Sequence, residues 1–124
     1  MIAPVSRLIL VAFGGALGCA GRFALSGLLQ RNLQGGFPYG TLAVNVLGCL
    51  AAGFLLGMME TRGWSEDTRA FLVPGVLGGF TTFSAFGLET MALWQSGAAG
   101  LAALNAAGNL VLGLGGVWAG RKLA

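Results

Sequence analysis

The residues able to do chemistry crowd into one short segment, GGFTTFSAFGLET, at positions 78–90. It carries hydroxyls at Thr81, Thr82 and Ser84 and rings at Phe80, Phe83 and Phe86. Side chains three apart share a helix face, so Phe83 and Phe86 project together. Aromatic rings have a positive edge, and beside hydroxyl donors two such edges suit an anion shedding its water. Gly78 and Gly79 each weaken a helix by about 1 kcal/mol relative to alanine. The phenylalanines and threonines that follow are mediocre helix formers, so the helix is expected to break near its middle. Carbonyls freed there could hold a cation, while the N-terminus of the next half-helix favours an anion. The plainer alternative is a packing face with locally satisfied hydroxyls. Catalysis is not expected: the chain has no histidine, and Glu89 is the only acid within an apolar run, so no nucleophile and base can be paired.

Those residues must be positioned by elements in lipid. Of 124 residues, 56% are hydrophobic and 9% charged, against about 25% charged in a soluble domain. Mean hydropathy is +0.80. So few charges cannot solvate a globular surface of this size. Four apolar runs, at about 5–29, 41–59, 69–94 and 97–119, are long enough to cross a bilayer, which takes roughly 20 helical residues. Period-two alternation is absent, which argues against a β-barrel. The first run is too long for a cleavable leader. The expected fold class is an all-α membrane protein, with four transmembrane helices in a single domain over residues 1–124.

Short connections, RNLQGGFPYG, ETRGWSEDT and QSGAAG, join the runs, with Asp67 or Thr68 a plausible N-cap for the third. Tyr39, Trp64, Trp94 and Trp118 fall at span ends, where interfacial aromatics collect. Arg7, Arg62, Arg69, Arg121 and Lys122 lie on one side and Arg31, joined by Arg22, on the other, which favours cytoplasmic termini. The pI near 9.5 reflects these flanking charges; no basic stripe points to nucleic acid.

Other intramembrane polar residues each admit two readings. Arg22 could snorkel to the interface or attract an anion into a vestibule. Asn45, in GTLAVNVLG, could bond between helices or donate into a pore. Asn105 and Asn109, four apart on the last run, share a face and could do either. Glu89 is protonated, functional or interfacial. Cys19 and Cys49 read as small packing residues. The 23 glycines recur at four-residue spacing in Gly14/Gly18, Gly53/Gly57, Gly75/Gly79 and Gly116/Gly120. Such seams let helices approach closely in lipid, and four of them exceed what one small bundle needs, so a homodimer is expected.

Three segments in order, GGALGCAGRF, GTLAVNVLGCLAAGFLLG and GVLGGFTTFSAFGLET, resemble the Fluc family of fluoride channels, also called CrcB-type proteins. The resemblance covers essentially the whole chain, and TTFS-x-F is its most specific part. It implies an antiparallel, dual-topology homodimer with two narrow fluoride pores around a structural sodium ion. Phe83 and Phe86 then match the aromatic pair along the pores and Asn45 the pore asparagine of the second helix. Arg22 matches a basic residue at a pore entrance, and Gly78 and Thr81 match positions whose main-chain carbonyls hold sodium. Thr82 and Ser84 match neighbouring polar positions, with Asn109 the pore-side residue of the fourth helix. The chain departs from the family where Asn105 and Asn109 replace expected hydroxyls, and in a charge bias that favours one orientation.

The implied function is passive, selective fluoride export across the inner membrane, relieving fluoride toxicity, with fluoride, lipid and a second subunit as partners. Two other classes compete. A four-helix proton-coupled multidrug antiporter needs a membrane-embedded acid, for which only Glu89 is available. A non-conducting membrane assembly would explain the glycine seams but not the broken helix.

Overall fold

The computed structural model describes residues 4–124; the start of the expected domain, residues 1–3, lies outside them. Four helical spans account for the chain, with no strand among the described residues. The first is α1 (Val5–Asn32) and the second α2 (Tyr39–Arg62). The third, Glu66–Gln95, is built in pieces. It comprises α3 (Glu66–Ala70), a π-helical stretch (Phe71–Leu77), the short α4 (Gly78–Phe80) and α5 (Phe83–Gln95). The fourth is α6 (Ala99–Leu123).

The helix ends have local causes. Gly63 is left-handed at φ +60 and stops α2. Ser65, rather than Asp67 or Thr68, caps α3: its hydroxyl accepts from the Thr68 N–H at 3.2 Å, which places Glu66 and Asp67 at the positive end of the dipole. Gly97, at φ +85, forms the turn before the last span, so α6 starts two residues later than the apolar run does. Pro74 supplies no N–H inside the third span, and the wider π turn there accommodates it.

Helical geometry stops at Thr81 and Thr82, which are both extended, at φ −87, ψ 158 and φ −150, ψ 120. Gly78, where propensity placed the weak point, is helical at φ −60, ψ −36. Gly78 has room for a Cβ, while Gly79 and several glycines of the other spans serve packing. A Cβ on Gly79 would collide with the Gly15 carbonyl, and one on Gly18 with the Val76 carbonyl. Likewise a Cβ on Gly53 would strike the Val117 carbonyl and one on Gly120 the Leu50 carbonyl. Close approach of backbones is what small residues permit. All four glycine pairs therefore close seams within one chain, α1 against the first half of the third span and α2 against α6, so these seams by themselves do not call for a second copy.

At one end of the bundle Arg7 Nη1 meets Glu66 at 2.8 Å and Arg7 Nε donates to Asp67 Oδ1 at 3.0 Å, while Arg121 pairs with Glu60 at 3.0 Å. These pairs bring the start of α1 and the end of α6 to the turn between α2 and α3, as an even number of spans requires.

Candidate functional site

The site begins at the two extended residues. In a continuous helix the Thr82 N–H and C=O would bond to neighbouring turns; here a single side chain takes both. Asn45, on α2, accepts from the Thr82 N–H through Oδ1 at 2.8 Å and donates from Nδ2 to the Thr82 carbonyl at 3.0 Å. Leaving one such group unpaired away from water would cost about 1–3 kcal/mol. Asn45 thus acts as a clamp on the interruption, a role that its position in the second span gave no means to foresee.

The orientation of that amide is forced, since the backbone N–H can only donate and the carbonyl only accept. Its second proton goes to Asn109 Oδ1 on α6 at 2.9 Å. Asn109 in turn donates to the Asn105 carbonyl at 2.9 Å and to Asn105 Oδ1 at 3.0 Å. Asn105, fully buried, donates to Thr90 Oγ1 at 2.9 Å, and the Thr90 hydroxyl donates to the Phe86 carbonyl at 2.7 Å.

Thr82 also starts α5. Its hydroxyl accepts from the Ala85 N–H at 3.1 Å and lies 3.3 Å from the Ser84 hydroxyl. From this capped turn project the two rings, with centroids 5.3 Å apart and planes tilted by 49°. Phe83 is 83% exposed, so apart from its Phe86 neighbour the described residues leave that ring almost uncovered.

A cavity of about 540 Å³ brings Asn45, Thr81, Thr82, Phe83, Phe86 and Asn109 together on its wall. Gly78, Ser84 and Arg22 do not line it. Arg22 lies ten residues short of the end of α1, about 15 Å along the axis, deeper than a span ending at residue 29 would place it. Its Nε donates to the Gly79 carbonyl at 3.0 Å and Nη2 to Cys19 Sγ at 3.0 Å. The guanidinium therefore caps the last turn of α4.

A second cavity, of about 550 Å³, opens between the α1–α2 connection and α5. On its wall the Thr41 hydroxyl donates to Glu89 Oε1 at 2.7 Å, while Glu89 Oε2 is buried with no hydrogen-bond partner among the described residues. Gln30 tethers the connection, donating to the Phe37 carbonyl at 3.1 Å and accepting from the Gly40 N–H at 3.2 Å. The pairing of Asn105 with Asn109 was visible as a four-residue spacing. The parts played by Thr90, Thr41 and Gln30 were not, because each depends on a partner from another helix.

Comparison with known proteins adds a further finding. The model of the family described as CrcB-like protein, Camphor Resistance (CrcB), matches residues 9–121. A protein of Methylobacillus flagellatus named fluoride-specific ion channel FluC is 48% identical over 119 residues, covering 94% of this chain and 93% of its own. Proteins of the same name from a strain of Thermus thermophilus and from Novosphingobium aromaticivorans are 49% and 50% identical over 110 and 116 residues. These cover 89% and 91% of this chain, and 88% and 91% of their own.

Proposed function

The chain belongs to the CrcB-like family, and from that membership we propose that it conducts fluoride selectively and passively out of the cytoplasm. It is a multi-pass protein of the plasma membrane and a transporter rather than an enzyme. The observation that carries the proposal is the shared cavity, where Phe83 and Phe86 meet the capped turn at Thr82.

Fluoride is small and strongly hydrated, so a path for it must replace water without trapping the ion. Ring edges, the Thr82 hydroxyl and the N-terminal dipole of α5 supply positive potential without a fixed cation on the wall, and the Ser84 hydroxyl, off the wall, lies 3.3 Å from that of Thr82. Arg22, with Nε on Gly79, contributes field from behind the turn. Fluoride enters cells as the neutral weak acid and is held as the anion at cytoplasmic pH, so an open path lets it leave down its gradient. Purified protein in liposomes is expected to release fluoride rapidly, as followed by a fluoride electrode, with chloride far slower and no proton gradient applied. Comparable chloride flux would sink the proposal. So would strict dependence on a pH gradient that Glu89→Gln abolishes, which is the behaviour of a proton-coupled antiporter.

The same reading includes an antiparallel homodimer, and the uncovered Phe83 ring supports a partner surface beside the break in the third helix. Single cysteines placed near either end of a chain lacking Cys19 and Cys49 are expected to react with impermeant reagents applied to either side of the membrane. Labelling from the cytoplasmic side alone would show that the arginine bias sets one orientation.

The residues at the interruption also fit a structural sodium ion. Gly79 and Thr82 carbonyls are taken by Arg22 and Asn45. Gly78 and Thr81 carbonyls are among those that receive no side-chain or inter-element hydrogen bond in the described residues. Carbonyl oxygens are the donors hard cations take, and bound sodium would add a fixed positive charge between the subunits. In this proposal the main-chain oxygens of Gly78 and Thr81 do the holding, not their side chains.

A further inference from the structure

We infer that Asn105 and Thr90 are positioning residues for the fluoride path, acting through a one-way chain of hydrogen bonds that fastens the aromatic turn at both ends. The inference rests on the channel reading and deepens it. The chain of donors runs from Asn45 to Asn109 to Asn105 to Thr90 and ends on the Phe86 carbonyl, with every link between 2.7 and 3.0 Å. Its origin, Asn45, grips both backbone groups of Thr82. It therefore leaves the turn at residue 82, crosses α2 and α6, and returns to the same turn at residue 86. Phe83 and Ser84 lie between the two anchor points.

Direction matters here. Thr82 dictates which way the Asn45 amide faces, and each amide then dictates the next. Both protons of Asn45 are engaged, and Asn109 directs its amino group at Asn105. These amides are consequently a frame, and the donors left to face an ion are the hydroxyls and ring edges. Neither Asn105 nor Thr90 lines the cavity, and Asn105 has no exposed surface, so any effect they exert passes through the frame. Buried polar networks of this kind specify one arrangement when every member is satisfied and fail as a unit when one is lost.

The test uses the full chain in liposomes with Asn105→Leu, Thr90→Val and the double variant. Each single change is expected to slow fluoride efflux roughly tenfold, the scale of one lost buried hydrogen bond. Gel-filtration elution should be unchanged and the fluoride-to-chloride ratio lower, because loosened rings discriminate less. The double variant should be no slower than the slower single, since one chain is cut twice. Wild-type rates in folded single variants, or effects that multiply in the double, would overturn the inference. If Asn105→Leu does not fold, the near-isosteric Thr90→Val decides by its efflux rate alone. Amide hydrogen exchange at Thr82 separates this inference from the channel reading: exchange should quicken in both variants whether or not the wild type passes fluoride. Unchanged exchange there would overturn the relay even in a working channel.

Discussion

Phe83→Ile and Phe86→Ile are each expected to suppress fluoride efflux by roughly tenfold or more, the factor that corresponds to about 1.4 kcal/mol at the limiting step, while the protein still elutes and reconstitutes as the wild type does. The rings sit 5.3 Å apart on a turn whose backbone is held by Asn45 and by the Thr82 hydroxyl, so isoleucine leaves the turn intact and removes only the ring edges. An aromatic pair contributes about 0.5–1.5 kcal/mol beyond its burial, too little for its loss to unfold a four-span bundle. Phe83 in particular contributes little to the subunit's own packing, being almost uncovered. Efflux measured per reconstituted protein decides the matter. If both variants conduct at the wild-type rate, the rings are packing groups and the ion path lies elsewhere.

The largest structural effect is expected two residues before the interruption. Gly79→Val places a Cβ where the Gly15 carbonyl stands, and backbone cannot rotate out of the way as a side chain could. Overpacking costs about 1–3 kcal/mol even where side chains can yield, so α1 and the third span must separate and folded, detergent-stable protein should be lost. Gly78→Ala is the control. Its backbone is helical and the nearest atom to an added Cβ, the Val73 carbonyl, is 3.7 Å away, an ordinary contact. Equal yields and elution profiles for the two variants would show that the seam is not as tight as described.

These adjacent glycines also show what could be read from the chain and what could not. Hydropathy and length located all four spans to within a few residues, because lipid imposes the same requirement on any helix that crosses it. Propensity drew attention to the right segment but put its weak point at Gly78 and Gly79, whereas the extended residues are Thr81 and Thr82. A glycine in a helix has two possible reasons, an unusual backbone or a close neighbour, and sequence does not distinguish them. Six residues of the candidate site share a cavity wall. What each does there depended on partners from other spans. Asn45 could be read as an interhelical bond or a pore donor, and its bonds are to the Thr82 backbone and Asn109; Arg22 could be read as snorkelling or drawing in an anion, and its Nε is bonded to the Gly79 carbonyl. Nothing in a linear pattern says that an amide at residue 45 meets a backbone at residue 82.

The glycine seams have a consequence for how the subunit is made. They join the first span to the third and the second to the fourth, so these seams interleave along the chain. Among the described residues only Gly40 on α2, against the Ser26 carbonyl of α1, makes a comparably close backbone contact between sequential spans. A nascent chain that has delivered α1 and α2 to the bilayer holds two grooved helices whose matching partners are still to be synthesised. The groove at Gly53 on α2 closes only against Val117, near the end of the last span. The subunit thus acquires its shape late, and a ribosome that stops after α5 leaves α2 with its small-residue face turned to lipid or to whatever other helix passes by.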